Sequence, residues 1–112
     1  MPIMPPPSTL RKMLGIILNF DELCTWLKDL LIQVQDRFNK SNQKYAVQIF
    51  HRLNDDDKYS LEVRIYYKEN EEYFEETIIA KISMKEIPDW ARAELDKEDV
   101  TDLYNEKLKL NI

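Results

Sequence analysis

The chain has 112 residues, of which 44% are hydrophobic and 33% are charged, and its formal net charge is −5. This balance predicts one globular domain with a hydrophobic core and excludes an intrinsically disordered chain. The chain has one glycine, Gly15, whereas a glycine-rich phosphate loop needs several, so such a loop is excluded. The only cysteine, Cys24, excludes an internal disulfide framework and favours a reducing, cytoplasmic compartment. No apolar run approaches the roughly 20 residues that cross a bilayer, so we expect no membrane partner.

The charge is distributed unevenly along the chain. Residues 1–44 carry six Lys or Arg against four Asp or Glu, whereas residues 54–76 carry nine acidic residues against three basic ones. Residues 84–102 are acidic as well, with seven acidic residues against three basic ones. Such a surface disfavours contact with nucleic-acid phosphates. An acidic surface is typical of a chain kept soluble by its charge. It could also bind a basic partner, or imitate the charge of nucleic acid.

A long amphipathic helix is predicted first. From Leu10 to Phe38 the apolar residues recur at steps of three and four, which is the spacing of one helical face. The helix is either continuous from about residue 9 to about residue 39 or broken near Asn19, which can cap a new helix together with Glu22. Gly15 and Asn19 weaken the first stretch and favour a break or a kink.

Three strands of an antiparallel meander are predicted next, over residues 45–53, 59–68 and 72–82. Apolar and polar residues alternate along the first two strands, and a five-residue loop places both apolar sets on one face. A short second turn pairs odd positions of the second strand with even positions of the third. On the outer face we expect Arg64 opposite Glu75 and Tyr66 opposite Tyr73. Glu76 then faces the core, which is tolerable only near a sheet edge or against a cation.

Two helices are predicted to close the chain. The first begins near Ser83, which forms a capping-box pattern with Glu86, and the second covers about residues 96–108. The predicted fold class is therefore α+β, with the order α(α)-β-β-β-α-α. Residues 1–8 are rich in proline and predict a flexible arm, which leaves residues 9–112 as a single domain.

Catalytic, metal and cofactor sites are not predicted. His51 is the only histidine and lies among apolar residues without a nucleophile beside it, which indicates a core histidine with one hydrogen-bond partner. Cys24 lies on the helical stripe and is interpreted as a buried, inert thiol. Asp55, Asp56 and Asp57 are adjacent and no glycine follows them, so they do not match a calcium-binding loop. We therefore expect a protein that is not an enzyme.

The outer face of the meander is the candidate binding surface, because it is too aromatic for plain solvent exposure. Three explanations stay open: the C-terminal helices cover it, it binds a protein partner or a second copy, or it stacks nucleic-acid bases. For a protein partner, aromatic anchors would be framed by the two acidic hairpin loops. The predicted partner-binding residues are Phe50, Tyr66, Tyr73, Asp55, Asp56, Asp57, Glu71 and Glu72.

A homodimer is also predicted. A continuous helix of roughly 45 Å would extend beyond a sheet whose strands span roughly 30 Å, and its excess apolar surface would need a partner. Two-fold self-association is the commonest way to cover such a surface. The predicted dimer interface is formed by Leu10, Met13, Leu14, Ile17 and Leu18.

The α-β-β-β-α order is similar to that of double-stranded-RNA-binding domains, but residues 87–94 carry one arginine and two acids where such a domain is basic. A small, acidic, motif-free α+β chain is also similar to many viral inhibitors of host defence and to toxin-immunity proteins, a likeness that transfers no residue. The leading hypothesis is a non-enzymatic intracellular protein-binding module, an acidic inhibitor that acts by occlusion of a basic partner. The alternative is a nucleic-acid-binding domain that uses the same sheet face.

Overall fold

The computed structural model describes residues 10–17, 19–53, 58–94, 97 and 99–110. It has the predicted α+β architecture, with a helix before a three-stranded antiparallel meander and two short C-terminal helices after it. The elements are β1 Leu10–Ile17, α1 Phe20–Ser41, β2 Tyr45–Leu53, β3 Lys58–Glu69, β4 Glu72–Ser83, a 3₁₀ turn Met84–Glu86, α2 Asp89–Arg92 and α3 Thr101–Leu108. The strands form one sheet with the order β1-β4-β3-β2.

Helix α1 begins where the sequence predicted a break. The side chain of Asn19 accepts a hydrogen bond of 2.9 Å from the backbone N–H of Glu22, which satisfies one of the free N–H groups of the first turn. Asn42 ends the helix in the left-handed conformation. The buried stripe that faces the sheet consists of Leu23, Leu27, Leu31, Val34 and Phe38.

The stretch before Asn19 is a strand, so the helical prediction for residues 10–17 is wrong. β1 pairs in parallel with β4, with Leu10 opposite Glu76 and Ile17 opposite Ile82. Steps of three and four between apolar residues fit a helix, but backbone pairing with a distant strand does not depend on that spacing. Gly15, a poor helix former, lies where the register shifts between Met13 and Ile16.

The first hairpin has the predicted register. Val47 lies opposite Ile65 and Ile49 lies opposite Val63, so both apolar sets face α1 as expected. The acidic residues 54–57 that join the two strands lie outside the described residues.

The second hairpin has the predicted odd-to-even pairing, but its register is shifted by two residues. Asn70 and Glu71 form a two-residue turn, and both have positive φ values of 50° and 68°. This is the turn whose twist matches an antiparallel hairpin. Arg64 therefore lies opposite Thr77 and not opposite Glu75, and Tyr66 lies opposite Glu75 and not opposite Tyr73.

All the helices pack on one side of the sheet. A single cluster joins Leu27 of α1 and Leu61 of β3 to Ala91 of α2 and Tyr104 of α3, and each of these residues is fully buried. We name this side the core face and the opposite side the outer face. The prediction left open whether the C-terminal helices cover the outer face, and in the structure they lie on the core face with α1.

Glu76 contacts a cation, which is one of the two settings in which it is tolerable on the core face. It lies on the core face of β4, and both of its carboxylate oxygens contact the Arg37 guanidinium of α1, at 2.7 and 3.1 Å. Arg37 also donates to the Tyr67 hydroxyl at 3.2 Å. The hydrogen bond to Glu76 raises the pKa of Arg37, and the two-point contact ties the C-terminal half of α1 to the sheet.

The segment before α3 covers the outer edge of β2. The backbone N–H of Val100 donates to the carbonyl of Ile49 at 2.8 Å, and the N–H of Ile49 donates to Oγ1 of Thr101 at 2.8 Å. Asp99 bridges to Phe50 and accepts from both the N–H and the hydroxyl of Thr101. These bonds satisfy backbone groups that an open edge strand would leave free.

Candidate functional site

The centre of the outer face is a compact cluster of one aromatic ring and three charged groups. The guanidinium of Arg64 lies 4.2 Å from the centroid of the Phe50 ring. Arg64 also donates to Glu62 at 3.0 Å, and Nε of Arg52 lies 3.6 Å from the other oxygen of that carboxylate. The Glu62 side chain is only 9% exposed, which fits its position between two arginines. Planar guanidinium groups stacked on aromatic rings are typical contact groups of protein and nucleic-acid interfaces.

This cluster is held by the meander register. Glu62 of β3 lies directly opposite Phe50 of β2, and Arg64 is two positions further along the same face. The sequence placed these residues on the outer face, but it did not identify Glu62 as the group that holds both arginines. The predicted register of the first hairpin already placed Glu62 beside Arg52 and Arg64 on one face. Comparing the charges of these neighbours would have identified Glu62 from the sequence.

The outer face is more basic than the chain as a whole. Among the side chains of β2, β3 and β4 that the structure describes, the charged ones on this face are Arg52, Arg64, Lys68, Lys81, Glu62 and Glu75. Four cations against two carboxylates contrast with a total net charge of −5. Three glutamates of the meander, Glu69, Glu71 and Glu72, lie at the second hairpin, so the described surface has a basic and aromatic middle next to one acidic end.

The predicted aromatic anchors are separated into two places. Phe50 and Tyr66 are half-buried on the body of the outer face, whereas Tyr73 is 69% exposed near the second hairpin. Tyr73 lies opposite Lys68, whose ammonium is 5.2 Å from the centroid of the ring. Tyr66 and Tyr73 are diagonal neighbours, so the directly stacked pair predicted from the sequence is not formed.

The predicted acidic residues of the second hairpin are exposed. Glu71 has a 93% exposed side chain and lies 3.7 Å from Lys68, and Glu72 lies directly opposite Glu69. Asp55, Asp56 and Asp57 lie outside the described residues. The proposed role of these acids in partner binding therefore stays a prediction.

The predicted dimer residues do not lie on a helix. Leu10, Met13, Leu14 and Ile17 are part of β1 at the edge of the sheet, and Leu18 lies outside the described residues. The argument from an overhanging helix is therefore wrong. A dimer that uses this segment stays a prediction on a different basis, because an edge strand has backbone groups free to pair.

His51 belongs to a buried polar group in the core. Its Nδ1 lies 2.6 Å from the hydroxyl of Tyr59, which lies 3.4 Å from the hydroxyl of Tyr104. Burial lowers the pKa of His51, against the opposing influence of the backbone carbonyls of Lys97 and Glu94. Burial also raises the pKa of Tyr59, and it raises the pKa of Tyr104 to about 12. This matches the predicted core histidine with one hydrogen-bond partner.

Cys24 is half-buried on α1, and burial is the largest cause that raises the pKa of its thiol. A raised pKa disfavours the reactive thiolate. Within the described part of the chain, no three His, Cys, Asp or Glu side chains are placed to hold a metal ion. None of the described helices has the length and apolar composition of a membrane-crossing segment.

Comparisons with protein-family models, with curated proteins and with solved structures found no match. The functional argument therefore depends on the surfaces of this chain alone. The outer face brings Phe50 together with paired charged groups, as the core face does with Tyr67, Arg37 and Glu76 at the end of α1.

Proposed function

We propose that the protein is a non-enzymatic, cytoplasmic protein-binding module that acts by occlusion of a basic partner, in the manner of an acidic inhibitor or immunity protein. One observation carries this proposal: every helix that the structure describes packs on the core face, so none of them covers Phe50 and Tyr66 on the outer face. Phe50 and Tyr66 supply half-buried aromatic anchors at its centre. Aromatic residues and arginine dominate the energetics of protein interfaces.

The electrostatic part of the proposal rests on the ends of the meander. Glu62 balances one of the two positive charges of Arg52 and Arg64, which reduces the basic character of the centre. The acidic residues at both hairpin ends then attract cations on the rim of a partner. Such charges chiefly increase the association rate and make binding sensitive to salt.

The test compares capture of proteins from a lysate of the source cells by the native chain and by a Phe50→Ala/Tyr66→Ala variant. A specific partner should be captured by the native chain and lost with the variant. A Lys40→Ala variant, altered at an exposed position near the end of α1, should capture it normally. Equal capture by all three proteins would contradict docking on the outer face.

The electrostatic part has a separate test on the partner so identified. We expect its affinity to fall steeply with salt, and to fall again in an Asp55→Asn/Asp56→Asn/Asp57→Asn variant. A Lys44→Gln/Lys85→Gln variant, which removes exposed cations, should not weaken binding. If neither salt nor the aspartate substitutions change the affinity, the acidic residues do not steer the partner. The role of the aromatic anchors would be unaffected by that result.

We also propose that the chain forms a homodimer. β1 lies at the edge of the sheet and provides backbone groups that can pair with a second strand. Light scattering coupled to size exclusion tests this directly. A monomer of 13.5 kDa at every accessible concentration would refute the dimer.

A nucleic-acid-binding domain is the second candidate, and the charge of the outer face favours it. The outer face combines Phe50 and Tyr66 with the cations Arg52, Arg64, Lys68 and Lys81, and basic and aromatic groups together are what binds single strands by backbone contacts and stacking. The acidic meander ends oppose it. A gel-shift assay at low salt with single-stranded and double-stranded RNA distinguishes the two candidates, because the protein-binding module should shift neither.

A further inference from the structure

A small groove lies between α1 and the end of α3, on the layer of the molecule that faces away from the sheet. It encloses about 310 Å³. Its lining residues are Lys28, Leu31, Ile32, Gln35, Leu108, Lys109 and Leu110. Leu31 and Leu110 are 2% and 6% exposed and form an apolar floor.

The rim of this groove is apolar and basic. Ile32 stands 57% exposed on one wall, one helical turn after Lys28. Lys109 lies on the other wall, at the left-handed position that ends α3. The lining includes two lysines and no carboxylate, and neither lysine forms an ion pair within the described residues. Such a groove fits a segment that presents an apolar side chain beside acidic ones.

The second hairpin of the same chain has that chemistry. Its end, residues 69–73, carries three glutamates, and only Lys68 balances them. Glu69 and Glu72 lie directly opposite each other, an arrangement in which like charges repel. Next to them Tyr73 is 69% exposed. A cation supplied by another molecule would relieve this repulsion.

We propose that the hairpin end of one copy docks in the Lys28–Lys109 groove of a second copy, and that the contact is made twice around a two-fold axis. Ile32 and Tyr73 are the two large apolar side chains that stay exposed among the described residues, and this contact buries both. The glutamates of residues 69–72 then meet the two lysines. The proposal rests on the homodimer proposed above, and it gives that dimer a different interface from pairing through the edge of β1.

This contact divides the binding surfaces of the molecule. The hairpin end, with Tyr73, Glu71 and Glu72, belongs to the dimer. Phe50 and Tyr66 remain available on the body of the outer face for a different protein.

The test is a charge exchange in the full chain. One variant carries Lys28→Glu and Lys109→Glu, and the other carries Glu71→Lys and Glu72→Lys. In each variant the groove and the hairpin end carry charge of the same sign. Both groove-to-hairpin contacts between two identical copies are then repulsive, so each variant alone should be monomeric. In an equimolar mixture every groove meets a hairpin of opposite sign, so we expect a dimer with one copy of each variant. Light scattering and native mass spectrometry measure these states.

A matched control carries Lys40→Glu and Lys85→Glu, which changes the net charge equally at exposed sites outside the groove, and should stay dimeric. Circular dichroism confirms that each variant is folded. Ile32→Ala should weaken the dimer roughly tenfold or more, because truncation removes an apolar anchor.

The outcomes separate this proposal from the dimer itself. A native chain that is monomeric throughout overturns both. A native dimer that survives both charge reversals, or a mixture that does not restore it, overturns the hairpin-to-groove contact and leaves pairing through the edge of β1 as the source of the dimer.

Discussion

His51, Tyr59 and Tyr104 place three polar side chains in a core that is otherwise apolar. The histidine Nε2 is buried and has no hydrogen-bond partner within the described residues, whereas Nδ1 is bonded to Tyr59. Tyr59 in turn lies next to Tyr104, so the group connects β2 and β3 to α3. A buried polar group favours one arrangement of these elements, because a different packing would leave the three side chains unsatisfied.

The protonation of His51 should make the protein less stable in acid. The unfolded chain binds a proton near the ordinary pKa of 6.5, whereas burial lowers the pKa of His51 in the folded chain. The unfolded state is therefore stabilised first as the pH falls, and the free energy of unfolding should decline from about pH 6.5 downwards. Urea denaturation at a series of pH values measures it. In a His51→Phe variant this component should be absent, although the carboxylates still titrate at lower pH.

The Arg37–Glu76 pair should contribute modestly, because the Arg37 side chain is 48% exposed. We expect Arg37→Met to lower the free energy of unfolding by about 1 kcal/mol. A double-mutant cycle with Glu76→Gln isolates the coupling between the two side chains. A coupling energy of zero would show that the cation beside Glu76 has no energetic consequence.

At the scale of elements, the second hairpin carries a residue that its turn does not favour. Position 71 requires a positive φ, where glycine has no steric cost and a glutamate does. Glu71→Gly should therefore raise the free energy of unfolding by roughly 0.5–1 kcal/mol. Asn70→Gly is the matched control and should change stability less, because asparagine tolerates this conformation. Thermal or urea denaturation compares the two variants.

The bonds between Asp99 and Thr101 hold the last helix against β2. Asp99→Ala should lower the free energy of unfolding by about 1–2 kcal/mol, which is the range for loss of a helix-capping side chain. Thr101→Ala removes the hydroxyl bond to Asp99 and also the acceptor of the Ile49 N–H, so the two losses should add only in part in the double variant. Additive losses would show that the two residues act independently.

Much of this arrangement could be predicted from local pattern. The helix start at Asn19 depends only on its own side chain and the backbone N–H three residues later. The first hairpin follows from the strict alternation of apolar and polar residues along its two strands. β1 could not be predicted, because its state depends on β4 far along the chain. The register of the second hairpin was missed because Asn70 and Glu71 adopt a turn that sequences usually mark with a glycine.

The candidate site was predictable only in outline. The alternation of β2 and β3 placed Phe50, Arg64 and Tyr66 on one face, but nothing local shows which face the C-terminal helices cover. The Lys28–Lys109 groove was not predicted, because its walls come from two helices that are distant in sequence. Surfaces made by non-local packing need the structure.

For the whole molecule, the sheet order predicts which backbone bonds open first. β3 and β4 each have a strand on both sides, whereas β1 and β2 lie at the edges. Hydrogen exchange should therefore be slowest in β3 and β4, on the order of tenfold slower than in β1. Mass spectrometry of peptic fragments measures this order. Amides of β1 that exchange as slowly as those of β3 would indicate that a further strand covers the edge.

The position of β1 has a consequence for how the protein is made. Leu10 leaves the ribosome well before Glu76, which is its partner in the sheet. Throughout that interval, the apolar segment over residues 10–17 has no native neighbour. Long-range pairing of this kind slows folding, and a waiting strand is prone to associate with other chains. The nascent chain is therefore most in need of a chaperone before β4 is synthesised, and a slow stretch of translation just after Ser83 would favour correct closure of the sheet.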